Sequence, residues 1–317
     1  MKYLARYFVL LVIFVCSVAF AQAGLHLDTS PHIDTSPRIA IMSAFAPEIG
    51  VLLEQTEVEN NYLLNGRTFT TGTLAGNDVV LFLSGISMVN AAMTSQLALD
   101  HFNITHIIFS GIAGGVNPEL HLGDVTVPTQ WAQYQEQFFA REDGDSDDST
   151  WQMGWHGAPY GNYGMMFPQD VDVTARGMDA DSIEEKFWFA VDDTMLEVVS
   201  SLEDITFTTC NSDNTCLEQD PQLVIGGTGV SGSTFVDNGD YRRWVWETFN
   251  AQALDMETAA VAHVAYANEV PYIAFRSLSD LAGGGDGANE LPVFLSIAAQ
   301  NSAAVVVSFL TAWADQP

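Results

Sequence analysis

The stretch Ala253-Leu254-Asp255-Met256-Glu257-Thr258-Ala259-Ala260-Val261-Ala262-His263, followed by Val270-Pro271-Tyr272-Ile273-Ala274-Phe275-Arg276-Ser277-Leu278-Ser279-Asp280, decides the fold. It predicts a strand end, a helix of small residues, and a second strand that runs into a loop. The apolar run after Pro271 is closed by Gly283–Gly285 and suits a strand buried on both faces. In an open α/β sheet, functional groups gather just past the carboxyl ends of strands. Asp255, Glu257 and Asp280 all fall at that edge. Simpler roles are open to each of them: acids in a first helical turn complement the helix dipole, and a Ser-Asp pair after a strand can cap a turn.

Asp255-Met256-Glu257-Thr258-Ala259-Ala260, with Arg276-Ser277-Leu278-Ser279-Asp280 downstream, resembles the signature of the purine nucleoside phosphorylase superfamily. The branch it looks most like is the 5′-methylthioadenosine/S-adenosylhomocysteine nucleosidases. Upstream, Arg38–Ala44 predicts a first strand, and Phe45-Ala46-Pro47-Glu48 starts a helix with Pro47 at a favourable first-turn position. By the same resemblance Glu48 matches the water-activating glutamate; read alone, it is an ordinary helix-start acid.

Thr68–Leu74 and Val79–Leu83 predict two strands joined by a turn, after which Ser84-Gly85-Ile86-Ser87 leads into a small-residue helix. Backbone amides at such a turn can hold a hydroxyl or an anion, which makes Ser84 a candidate contact. Thr105–Phe109 predicts another buried strand, running into Ser110-Gly111-Ile112-Ala113-Gly114-Gly115. Glycine there lets backbone approach a ligand, with Gly114 the candidate. Neither Gly-Lys-Ser/Thr nor GxGxxG occurs within this stretch, so it is not a phosphate-cradling loop of either kind. Relatives commonly carry Ser or Thr where Ile112 stands.

Gly229–Val236 resembles the family's base-binding loop, with Phe235 as the stacking candidate and Val236 as the backbone partner; a core Phe is the alternative. A helix is expected over Asp240–Phe249 and a long apolar one over Glu290–Trp313. Alternating strands and helices imply one α/β domain over residues 38–317, with a mixed, largely parallel sheet and helices on both sides. The segment around 131–220 reads as an insertion, with an acidic run (Glu142–Asp148), an aromatic-rich loop (Trp151, Trp155, Tyr160, Tyr163, Phe167) and a helix over Asp192–Leu202. The acidic run suits a solvated loop, and packing is favoured over purine stacking for the aromatics.

Composition narrows the partners. Lys2 and Arg6 precede the apolar run Tyr7–Phe20 and two small-residue cleavage patterns, so residues 1–23 are expected to be a secretory signal peptide. No other segment is expected to approach a membrane helix in length. Residues 24–37 repeat His-Leu/Ile-Asp-Thr-Ser-Pro and are expected to be a flexible leader. Removing residues 1–23 takes Lys plus Arg from 10 to 8 against 40 Asp plus Glu, a net charge of −32. Such a surface repels nucleic acid and anionic lipid. Secretion or a periplasmic location fits Cys210 and Cys216 as a disulfide hairpin; no His lies near enough in sequence to complete a zinc site, and no metal is expected.

The resemblance implies cleavage of a purine nucleoside's N-glycosidic bond by three acids. Asp280 would protonate the base, Glu48 would activate water and Glu257 would steady the cationic sugar. Met256 would contact the ribose, Ser279 would orient Asp280, and Arg276 flanks the site. Hydrolysis without a cofactor leads, because a chain this acidic is poorly suited to collecting phosphate. Phosphorolysis with phosphate as co-substrate is the alternative. A non-catalytic nucleoside-binding, uptake or storage protein is the other, since the superfamily includes such members. A homo-oligomer is the expected assembly.

Overall fold

The computed structural model describes residues 32–140, 160–179, 181–285 and 287–315. The expected signal peptide, the first repeat of the expected leader, the acidic run, Trp151 and Trp155 lie outside the described residues. In chain order the first half comprises β1 (Asp34–Ser43), α1 (Ala46–Gln55), β2 (Glu57–Leu64), β3 (Arg67–Leu74), β4 (Asn77–Leu83), α2 (Met88–His101), β5 (Phe102–Gly115), β6 (Val125–Val127) and β7 (Gln130–Ala132). Short ladders follow: β8 (Gln137–Phe139) with β9 (Met166–Pro168), and β10 (Val171–Val173) with β11 (Glu184–Lys186). Then come β12 (Trp188–Ala190), α3 (Asp193–Ser200), β13 (Leu223–Ile225), β14 (Thr228–Ser231), α4 (Gly239–Phe249), β15 (Ala251–Asp255), α5 (Thr258–Ala267), β16 (Tyr272–Asp280) and α6 (Leu291–Ala314).

The main sheet runs β12-β7-β14-β15-β5-β1-β4-β3-β2, with β16 on β5 and β6 and with β13 on β6. Pairing is parallel for β1 with β4, β1 with β5, β5 with β16 and β14 with β15. It is antiparallel for β15 with β5, where the two halves of the sheet meet. The mixed α/β sheet expected from the sequence is therefore present. Every residue of β16 is buried, because β5 and β6 flank it and α6 packs on its face. Truncating one of its core side chains, Phe275 for instance, would cost about 3–5 kcal/mol.

Three expectations change. β1 begins at Asp34, inside the second leader repeat, where Asp34 pairs with Arg38 at 2.7 Å and Arg38 also holds Glu59 at 2.7 Å. The strand predicted over Thr105–Phe109 is longer, and runs from Phe102 through Ser110–Gly115. β5 continues through it because β16 pairs along its whole length and β15 receives its end. Finally α6 is long and apolar enough to cross a membrane by length and composition. Here it is a core helix: Ile297, Ala298, Val305, Val306, Phe309 and Leu310 are buried against β16, β5 and α1.

Candidate active site

The carboxyl ends of β1, β5, β15 and β16 converge on a cleft of about 290 Å³ whose wall is largely apolar. Glu48, Glu257 and Asp280 line it together with Met256, Phe235, Val236, Ser279 and Gly114. Phe235 is half exposed at the cleft and is no core side chain. Val236 beside it is buried.

Glu48 enters from the first turn of α1 and is buried. Its Oε2 accepts the amides of Ala44 (2.7 Å) and Phe45 (3.2 Å), and its Oε1 accepts that of Ile112 (2.8 Å). Burial pushes its pKa upward, and Arg276 and these amides oppose that only in part. The hold on Glu48 at Ile112 is a backbone bond, so it does not depend on the residue type there.

Glu257 precedes α5 and accepts the amide of Ser87 at 2.7 Å. Ser87 carries a φ of +80°, rare for a residue with a Cβ, and this turn aims its amide across at Glu257. The turn after Ser84 therefore does hold an anion, the chain's own. Burial first, and then the neighbouring Asp255 charge, push Glu257 up to about 7.

Asp280 ends β16. It accepts the Ala282 amide at 2.9 Å and the Ser279 hydroxyl at 3.0 Å. Burial raises its pKa despite these donors. A Cβ at Gly114 would come 3.2 Å from its Oδ1, so the bare glycine lets β5 pass close beside the acid.

Two candidates do not reach the cleft. Ser84 is fully buried, donates its hydroxyl to Gly85 O and its amide to Ser43 O, and holds the turn together. Arg276 is fully buried beneath the acids. Its Nε lies 2.7 Å from Asp255, its Nη1 3.8 Å from Glu48 and its Nη2 3.7 Å from Glu257. Its guanidinium sits over the Phe109 ring at 4.0 Å. A Cβ at Gly111 would collide with this guanidinium and with Glu48. Arg276 thus neutralises acids and is not available to a ligand anion. Asp255, which stood with the other two acids in the sequence, is turned to this inner role. Its oxygens take the Ser231 and Thr258 hydroxyls and the amides of Glu257 and Thr258.

Nη2 of Arg276 has no hydrogen-bond partner among the described residues, although it is buried. Among the described residues no three His, Cys, Asp or Glu side chains form a metal site. The described aromatics of the insertion pack away from the cleft: Tyr160 stacks on Phe187 at 3.8 Å, and Tyr163 meets Tyr241 at 4.9 Å. Cys210 and Cys216 form a disulfide.

The chain resembles known proteins in sequence and in fold. The chain is 29% identical over 276 residues to the 5′-methylthioadenosine/S-adenosylhomocysteine nucleosidase of Tolumonas auensis, covering 86% of this chain and 98% of that one. Its fold is similar to that of the nucleosidase of the same name from S. pneumoniae, solved with a transition-state inhibitor (TM-score 0.64, 25% identity, 87% of this chain and 99% of that one). The Neisseria meningitidis nucleosidase, solved with methylthio-immucillin-A, is similar as well (TM-score 0.62, 26% identity, 87% and 98% covered). Residues 38–311, from the first core strand to the end of the packing face of α6, match one family throughout, and the chain belongs to the phosphorylase superfamily.

Proposed function

We propose that this protein hydrolyses the N-glycosidic bond of a purine nucleoside of the 5′-methylthioadenosine/S-adenosylhomocysteine type and releases the free base. The observation that carries this reading is the convergence of Glu48, Glu257 and Asp280 on one apolar cleft. As the C–N bond breaks, negative charge builds on the purine and positive charge on the sugar. Asp280, whose pKa burial raises, gives its proton to the base. Glu48 orients and deprotonates the attacking water from its fixed position on three amides. Glu257 faces the ribose hydroxyls and steadies the cationic ring, and Met256 packs against the sugar. Phe235 stacks on the base, with Val236 beside it.

Water is favoured over phosphate by a specific feature. Among the described residues the cleft is lined by no cation. Arg276 is committed to Asp255 below it, and Arg67 is committed to Leu83 O and Asn90. A phosphate dianion needs such donors, and water does not. The reaction as proposed uses no cofactor. Residues 1–23 and the disulfide support a secreted or periplasmic location. Exposed Ile86, just before α2, and Val89 and Met93, on its first two turns, support a homo-oligomer, which light scattering tests. The function itself is tested by assaying base release over a panel of purine nucleosides. 5′-Methylthioadenosine and S-adenosylhomocysteine should lead the panel; no release from any nucleoside would point to binding or storage.

A further inference from the structure

The peptide unit between Ile86 and Ser87 is bonded at both of its polar atoms. Its N–H, from Ser87, donates to Glu257 Oε1 at 2.7 Å, and its carbonyl, from Ile86, accepts the Asn90 carboxamide at 2.7 Å. That carboxamide is fixed in turn. Its Oδ1 accepts Arg67 Nη2 at 3.1 Å, and Arg67 Nη1 donates to Leu83 O at 3.3 Å. Arg67 lies so close over the turn that a Cβ at Gly85 would come 2.8 Å from its Nη2. The bracing acts on a strained residue: Ser87 has a φ of +80° and a ψ of 159°, a region that belongs almost to glycine alone. Turning the Ile86–Ser87 peptide over would carry Ser87 back to negative φ and relieve that strain. It would also aim a carbonyl, instead of the amide, at the Glu257 carboxylate.

We propose that Asn90 and Arg67 are positioning residues, which lock the Ile86–Ser87 peptide so that an N–H and not a carbonyl faces Glu257. This rests on the reading of Glu257 as the anion that steadies the cationic sugar. The charged groups facing Glu257 are Asp255 from β15, Glu48 from α1 and Arg276 from β16, of which the two acids repel it and the arginine attracts it. Among the described residues the Ser87 amide is the one hydrogen bond its carboxylate accepts. A carbonyl in that place would favour the protonated carboxyl, which cannot steady a cation.

The test compares kcat/KM against pH on 5′-methylthioadenosine for the parent, Asn90→Ala, Arg67→Met, the double variant Asn90→Ala with Ser87→Gly, and Glu257→Gln. Asn90→Ala should lower kcat/KM about fivefold near neutral pH, the scale of one hydrogen bond. It should also move the acid limb of the profile to higher pH, because Glu257 works ionised and a donor to its ionised form is lost. Arg67→Met leaves Asn90 present but unfixed and should do both to a smaller extent. Glycine takes a φ of +80° without strain, so adding Ser87→Gly to Asn90→Ala should return most of the activity and the limb. A loss of packing alone would not be rescued by removing a further side chain. Asn90→Ala with the parent's profile, or a loss that Ser87→Gly does not restore, with Glu257→Gln inactive, would overturn the positioning role alone. Full activity in Glu257→Gln would remove the anion assignment on which it stands.

Discussion

Arg276 and Asp255 form a fully buried ion pair, Nε to carboxylate at 2.7 Å, directly beneath the two glutamates of the cleft. The pair explains how Asp255, Glu48 and Glu257 can share one buried region. A guanidinium centred among them offsets their mutual repulsion, and the Phe109 ring under it adds a cation–π contact.

Arg276→Ala should therefore destabilise the protein by about 3–5 kcal/mol, the cost of leaving a buried charge without its partner. Arg276→Lys keeps the charge but not the planar fork and should fall between parent and alanine variant. Urea denaturation reads both; an alanine variant with the parent's midpoint would refute this account of the site's floor.

The raised pKa of Glu257 makes stability depend on pH with a definite sign. Folded, the group titrates near 7; its ordinary value is 4.5. Between these values the native state binds more protons than the unfolded chain, so stability falls as pH rises from about 4.5 to about 7 and is level beyond. The span is on the order of a few kcal/mol, at roughly 1.4 kcal/mol per pKa unit. Glu257→Gln should flatten this part of the stability curve. A variant curve that keeps the parent's slope would contradict the assignment.

The disulfide lies nearer the cleft than its sequence position suggests. Its loop reaches α6 through Asn211 to Val293 O at 3.1 Å, and Thr208 just before it bonds Asn301 at 2.7 Å. Leu291 and Leu295 of the same helix line the cleft. Reduction of Cys210–Cys216 should add two hydrogens to the mass, lower stability by about 2 kcal/mol for so short a loop, and raise KM more than it lowers kcat. A gain of two hydrogens with unchanged kinetics would separate the loop from the site.

The strand–helix–strand at 253–280 was legible because its apolar run, small-residue helix and bounding glycines each allow one structure. Glu48 was legible through Pro47 and the resemblance together. What the sequence hid was direction. Asp255 and Glu257 are two residues apart, and spacing does not say which turns inward; the hydroxyls of Ser231 and Thr258 and the Arg276 side chain decide it. Arg276 looked like a flank of the site because β16 was known to be buried but not what lay on each face. The continuation of β5 through Ser110–Gly115 was not legible because glycine is rare inside strands, and only the partners on either side keep it extended.

The most direct test of the central claim is base release from 5′-methylthioadenosine in phosphate-free buffer, by the parent and by Asp280→Asn, with the sugar product identified. The parent should release adenine and free sugar at a rate that added phosphate does not change. Asp280→Asn should lose roughly 10²–10⁴-fold in kcat, the usual contribution of general acid catalysis. Release that requires phosphate and yields a sugar 1-phosphate, or an Asp280→Asn variant at the parent's rate, would contradict it.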